Sequence, residues 1–191
     1  TDRNTEFPGR EFLTGKPESV TELPDTAFTS FTGTIICKNG SAAHTYAQAN
    51  NIPYILTSIE AVSEQTTVQE DVGCIFTDDI LNKGVEDMVA TTEAMSLEVA
   101  YTDNCSSAEI ISTGATITLY REECLLEEYT VVVNGDLNGD GVCDALDVSL
   151  TARYSSGLTE PTAIEIYAAN GQVAQEIDAN DYQRIVNKAI A

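Results

Sequence analysis

The sequence predicts an α+β multidomain protein in which strands and helices are segregated along the chain. Three observations predict it. Residues 69–133 alternate apolar and polar side chains with period two and are rich in β-branched residues, the pattern of a small β-sandwich-like module. Residues 134–147 set oxygen-bearing side chains at the spacing of a calcium loop. The tetrad Asp144-Ala145-Leu146-Asp147 returns 34 residues on as Asp178-Ala179-Asn180-Asp181, and each copy runs into a helix-like segment. The expected division is 1–58, 59–133 and 134–191, the last of these all-α.

Composition narrows the class. With 191 residues of which 42% are apolar, the chain has enough material for real cores. No apolar run approaches the roughly 18 residues of a membrane span, so no membrane insertion is expected. No signal-peptide pattern opens the chain, which reads as a mature form or a fragment. A net charge of −22 disfavours nucleic acid and anionic membrane surfaces. It fits a secreted, extracellular protein that binds a cation, with most carboxylates forming a solvated surface. Cys37, Cys74, Cys105, Cys124 and Cys143 have no CxxC spacing and give no zinc signature. They read either as reduced, buried small apolar residues or with one pair, Cys105 and Cys124, bridged.

Residues 1–18 form a polar lead-in. Residues 19–31 read as a short strand, a turn and a buried aromatic. A strand follows over 33–37, then a helix over 40–50 with Ser41 as N-cap and Asn50-Asn51 as its stop, then a closing strand over 52–56. His44, the only histidine, reads as a surface residue of that helix; no phosphate-cradling glycine loop accompanies it. The pattern through Ser19, Val20, Thr21, Leu23, Ala27 and Phe28, and then Gly40, Ser41, Ala43, Tyr46, Ala47, Asn50 and Ile52, resembles the last repeat and C-terminal cap of leucine-rich repeat proteins on bacterial cell surfaces. One repeat cannot bury its own faces, so the resemblance implies the end of a longer solenoid.

Residues 59–68 are polar and read as a linker. Strands are expected over 72–76, 96–101, 115–120 and 128–133, with a short helix over 84–90.

The calcium loop starts at Asp136. Counting from it, Asn138, Asp140, Asp144 and Asp147 fall at the third, fifth, ninth and twelfth places, and Val142 offers its carbonyl at the seventh. Gly141 takes the sixth place, where the backbone turns sharply. An ion-free Asp/Asn/Gly turn uses the same residue types, but not this spacing. The twelfth ligand is Asp147 rather than the usual Glu, so the following helix must stand closer to the ion. Aligned on Asp181, the second unit puts Asn170, Gln172 and Ala174 where carboxylates or amides belong, so this second site is degenerate and doubtful as a calcium binder. Packing through Ile177, Ile185, Val186 and Ile190 is expected to hold its helix instead.

Two loop–helix units over 134–191 resemble a dockerin, the EF-hand-like module that attaches secreted proteins of anaerobic bacteria to cohesin modules of a cellulosome scaffold. The run 114–120, then 129–133, then Gly135-Asp136 resembles the X-module-like or immunoglobulin-like β domain that precedes a dockerin. The first resemblance implies partner contacts at Ala145, Leu146, Ala152 and Arg153, and at Ala179, Asn180, Val186 and Asn187. Family members often carry Ser/Thr and Lys/Arg at these places; Leu146 and the alanines imply a more apolar contact.

No nucleophile elbow, HExxH, P-loop or CxxC is present, and a single histidine leaves little base chemistry. The chain is therefore not expected to be an enzyme. The expected function is calcium-dependent anchoring of a leucine-rich repeat protein to a cohesin. The alternatives are a calcium-stabilised structural or adhesion protein and, less favoured without tryptophan, a carbohydrate-binding or hydrolytic β module.

Overall fold

The computed structural model describes residues 23–24, 27–28, 31–78, 85–92, 95–105 and 110–190. The lead-in over 1–18, the residues Ser19, Val20 and Thr21 of the repeat-like match, and Gly84 of the expected helix lie outside the described residues. The chain divides into two units, residues 1–58 and 59–191.

The first unit contains β1 (Ile35–Lys38), α1 (Ala42–Ala49) and β2 (Tyr54–Thr57). β1 and β2 pair in parallel, with Ile35 opposite Tyr54 and Lys38 opposite Thr57. Parallel neighbours need a crossover, and α1 supplies it. Ser41 caps the helix by accepting the His44 N–H at 3.2 Å. The helix stops where Asn51 enters the left-handed region at φ 53°, which asparagine tolerates better than most residues. Ile35, Cys37, Tyr46 and Ala47 are buried together, with Leu23, Phe28 and Phe31 packed against them. Phe28 meets Tyr46 edge-on at 5.3 Å.

His44 departs from the surface position expected for it. Only 8% of it is exposed. Its ring lies 4.8 Å from that of Tyr54, and its Nδ1 accepts the Gly40 N–H at 2.9 Å. The histidine folds back over the helix entrance and gives a backbone donor there an acceptor.

The second unit contains β3 (Ile59–Ala61), β4 (Thr66–Gln69), β5 (Cys74–Thr77), α2 (Val85–Met88), β6 (Val89–Thr91), β7 (Ser96–Ala100), β8 (Thr116–Arg121), β9 (Cys124–Val133), α3 (Ala145–Ser155), α4 (Ala163–Asn170) and α5 (Ala179–Ala189). Five strands form one sheet in the order β4-β5-β9-β8-β7, and β3 pairs with β6 separately. β5 and β9 run parallel, Cys74 opposite Thr130 and Thr77 opposite Val133; the other pairs in the sheet are antiparallel.

Alternate residues of the central strands enter different cores. Ile75, Ile117, Tyr129, Val131 and Val133 pack with Ile59, Met88 and Val89 from β3, α2 and β6. Cys74, Phe76 and Val132 point the other way, onto Leu137, Ala168, Ala169 and Ile185. One face of β5 and β9 is thus covered by the β3–β6 layer and the other by helices. α3 and α4 are tied where the Tyr154 hydroxyl donates to Glu165 Oε1 at 2.5 Å. Burial and that carboxylate push the tyrosine up to about 12.

This architecture corrects the expected fold class. The second unit is a mixed α/β body. Its helices over 134–191 do not form a separate all-α, EF-hand-like domain, because their apolar faces share a core with β5 and β9. Nor is the β part a sandwich, since a five-stranded sheet with a parallel pair is packed against helices. The physical reason is that strands buried on both faces read as apolar runs, such as 74–76 and 131–133, which periodicity cannot assign to a partner layer. The stretch read as a linker carries β3 and β4. Thr66 is 5% exposed and its hydroxyl meets that of Thr77 at 3.2 Å, so a polar-looking strand sits on the sheet edge.

Replacing His44 with alanine leaves the Gly40 donor without its acceptor. The expected loss is about 1–3 kcal/mol in the first unit. Hydrogen exchange should speed up for amides 35–57 while those of 116–133 stay unchanged.

Candidate metal centre

β9 runs straight into the loop over 134–144, and the loop runs into α3. Gly135 takes φ 92°, and a Cβ there would lie 2.8 Å from Cys143 Sγ. Its N–H bonds the Ala168 carbonyl at 2.9 Å, so the loop leaves the sheet already tied to α4.

Asp136 is 0% exposed. Its Oδ1 accepts the Gly139 and Asp140 N–H groups at 2.9 and 3.1 Å. Its Oδ2 accepts those of Gly141 and Thr113 at 3.2 and 2.9 Å. Asp147, also 0% exposed, accepts Leu137 and Asn138 N–H on Oδ1 at 2.8 and 3.2 Å. Its Oδ2 takes the Asp144 N–H at 2.9 Å. The Asp144 side chain accepts the Asp147 N–H in return, which makes a capping box at the start of α3, and it also accepts the Leu146 N–H at 2.7 Å. Asn138 Nδ2 donates to Asp140 Oδ2 at 2.8 Å, and Asp140 Oδ1 accepts the Val142 N–H at 2.9 Å.

The electrostatics follow from burial. Desolvation raises Asp136 to about 6; the Thr113 and Gly141 N–H groups oppose that rise, and the neighbouring carboxylates Asp147 and Asp140 add to it. Desolvation likewise raises Asp147 against three backbone N–H bonds. Among the described residues no lysine or arginine forms an ion pair with either. Two buried carboxylates with like-charged neighbours and only amide dipoles for compensation fit a hard cation as countercharge. Asp136, Asn138, Asp140, Asp144 and Asp147, with the Val142 carbonyl, are the oxygen donors that would hold it. Among the described residues no group of three His, Cys, Asp or Glu side chains is already gathered around one point; the carboxylate oxygens turn to backbone amides instead.

Part of the loop's surroundings comes from the β portion, through contacts that the sequence does not announce. Besides Thr113, the Thr102 hydroxyl donates to the Gly139 carbonyl at 3.0 Å, and the Asn104 amide donates to the Asn138 carbonyl at 3.0 Å. The fit is close. A Cβ on Gly139 would stand 2.7 Å from Thr113 O, and one on Gly141 would stand 2.5 Å from Ile110 Cγ2. Short polar residues near 102–104 have no spacing that announces such a contact.

The expected partner residues lie outside the cores. Ala145 and Leu146 are exposed in the first turn of α3, Arg153 is exposed two turns on, and Ala152 is half-buried. Leu146 and Arg153 are seven residues apart, within about 20° of each other around the helix. On α5, Ala179, Asn180 and Asn187 are exposed and Val186 is half-buried. All five cysteines are free thiols, Cys105 and Cys124 included. Comparison with protein families, curated proteins and solved structures gave no match.

Two outcomes are expected here. Gly139→Ala combines φ +73° with the contact to Thr113 O and should lower stability by about 1–3 kcal/mol. Gly157→Ala, at φ +70° with open space around it, should cost about 1 kcal/mol; chemical denaturation compares the two. The raised carboxyl of Asp136 sets a pH dependence. The folded chain binds more protons than the unfolded one between about pH 4 and about pH 6, so in chelator this group's contribution makes stability fall as pH rises through that window. A cation held by this carboxylate would compete with those protons, so its affinity would drop as pH falls below about 6.

Proposed function

We propose that residues 134–191 act as a calcium-dependent docking surface of the dockerin type, carried on the mixed α/β body described above. In this reading it anchors a secreted leucine-rich repeat protein to a cohesin on a cellulosome or cell-surface scaffold, and it performs no catalysis. The observation that carries the reading is the outward face of α3. Leu146 is 59% exposed and shares a stripe with exposed Arg153, while Asp147 and Thr151 on the same helix are wholly buried. A large apolar side chain held in water next to a guanidinium is what a partner surface needs at its centre. Calcium supplies positive charge to the loop, and its binding energy goes into fixing the start of the helix that carries Leu146.

A second reading, a calcium-stabilised structural or adhesion protein, is favoured by the hydrogen bonds from Thr102, Asn104 and Thr113 to the loop. They tie the ion's surroundings to the sheet whether or not a partner binds.

Calorimetric titration of the chain with a panel of cohesins, in calcium and in chelator, separates the two. The docking reading expects tight binding to one member that disappears in chelator, and Leu146→Asp should weaken it at least tenfold, about 1.4 kcal/mol. No binding to any member, with calcium still raising the melting temperature, leaves the structural reading.

A further inference from the structure

The two loop–helix units share their capping geometry but not their source of positive charge. Asp147 and Asp181 occupy the same place in the 34-residue repeat. Each accepts on Oδ2 the N–H of the residue three before it, Asp144 and Asp178, both at 2.9 Å. Asp147 has no cationic partner among the described residues. Asp181, 9% exposed, has one: Arg184 Nη2 lies 3.3 Å from its Oδ1. Arg184 stands where the first unit has Leu150.

The rest of the second loop is also closed by the protein's own donors. Asn170 takes the place of Asp136. Its Nδ2 is engaged with the Ile166 and Glu176 carbonyls, at 3.0 Å each, so a donor crosses the loop where the first unit presents a carboxylate. Ala174 contributes nothing at the place of Asp140.

Arg184 also reaches back to the sheet. Its Nη1 donates to Asn134 Oδ1, and Asn134 Nδ2 donates to Asp78 Oδ1 at 2.6 Å. Lys188, one turn further along α5, bonds Asp78 Oδ1 at 3.0 Å and the Asn134 carbonyl at 2.6 Å. Burial raises Asp78, and the hydrogen bonds from Lys188 and Asn134 outweigh it, holding this carboxyl below its usual range. Asp78 follows β5 and Asn134 follows β9, so the network fastens α5 to the ends of the parallel strand pair.

We propose that Arg184 is the built-in cation of the second unit. It neutralises Asp181 where the loop over 170–181 enters α5 and, through Asn134, seats α5 on the sheet without calcium, so that calcium acts on the first loop alone and governs only the α3 half of the docking surface. The part concerning the first loop rests on the calcium reading above; the part concerning α5 does not.

Hydrogen exchange of the full chain with calcium and with chelator tests this, alongside a calorimetric count of bound calcium. The expected count is one. Amides 137–148 should exchange faster in chelator, while those of 179–189 keep their protection. Arg184→Gln should cost amides 179–189 at least tenfold in protection under both conditions, and Arg184→Lys should restore part of it. Amides 116–133 serve to check that each variant is folded. A second bound ion, loss of α5 protection on chelation, or unchanged exchange in Arg184→Gln would overturn the proposal. If the chain takes up no calcium, the reading of the first loop falls, and the Arg184→Gln comparison still decides whether the guanidinium seats α5.

Discussion

The second unit depends on a carboxylate that water cannot reach. Asp136 sits at the point where β9 stops being a strand and becomes a loop, and four backbone N–H groups converge on its two oxygens. Three belong to the loop and fix its tight turns. The fourth, from Thr113, belongs to the segment leading into β8. One side chain therefore sets the shape of the loop and its contact with the sheet portion. An isolated charge in such a place is expensive to bury. Amide dipoles offset part of that penalty, and the remainder is why burial holds the group far above the usual carboxylate range.

Much of the local structure was legible in the sequence. Ser41 as a cap and Asn50-Asn51 as a stop follow from short-range stereochemistry, and β8 and β9 follow from period two. That residues 136–147 form a tight turn-rich loop was legible for the same reason, since its backbone N–H groups fold onto its own carboxylates. What remained hidden is non-local. The parallel pairing of β5 with β9 joins segments more than fifty residues apart, and nothing in either strand names the other. The same holds for Thr102, Asn104 and Thr113 against the loop. β3 and β4 were hidden for another reason: an edge strand needs only one apolar face, so Thr66 and Thr67 look like part of a linker.

The internal repeat gains meaning from these long-range contacts. Both copies keep the Asp-x-x-Asp box that starts a helix, because capping is a requirement of the helix itself. They diverge in what surrounds the box. The first copy is enclosed by uncharged donors from the β portion, whereas the second lies beside Asn134 and Asp78 and carries its own arginine. Position in the fold, more than the repeated motif, decides which groups surround each box.

The parallel strand pair also dictates an order of assembly. The β4–β5 hairpin and the β7–β8–β9 meander are each built from neighbours in sequence and can form early. They become one sheet only when β5 meets β9, and closing so long an intervening segment is slow relative to hairpin formation. Until then Ile75 and Phe76 stand on an open strand edge, the kind of surface that pairs with other chains. During synthesis β5 emerges well before β9, so the nascent chain exposes that edge for the time taken to add the residues between them. A chain cut short before residue 124 would never close its central sheet.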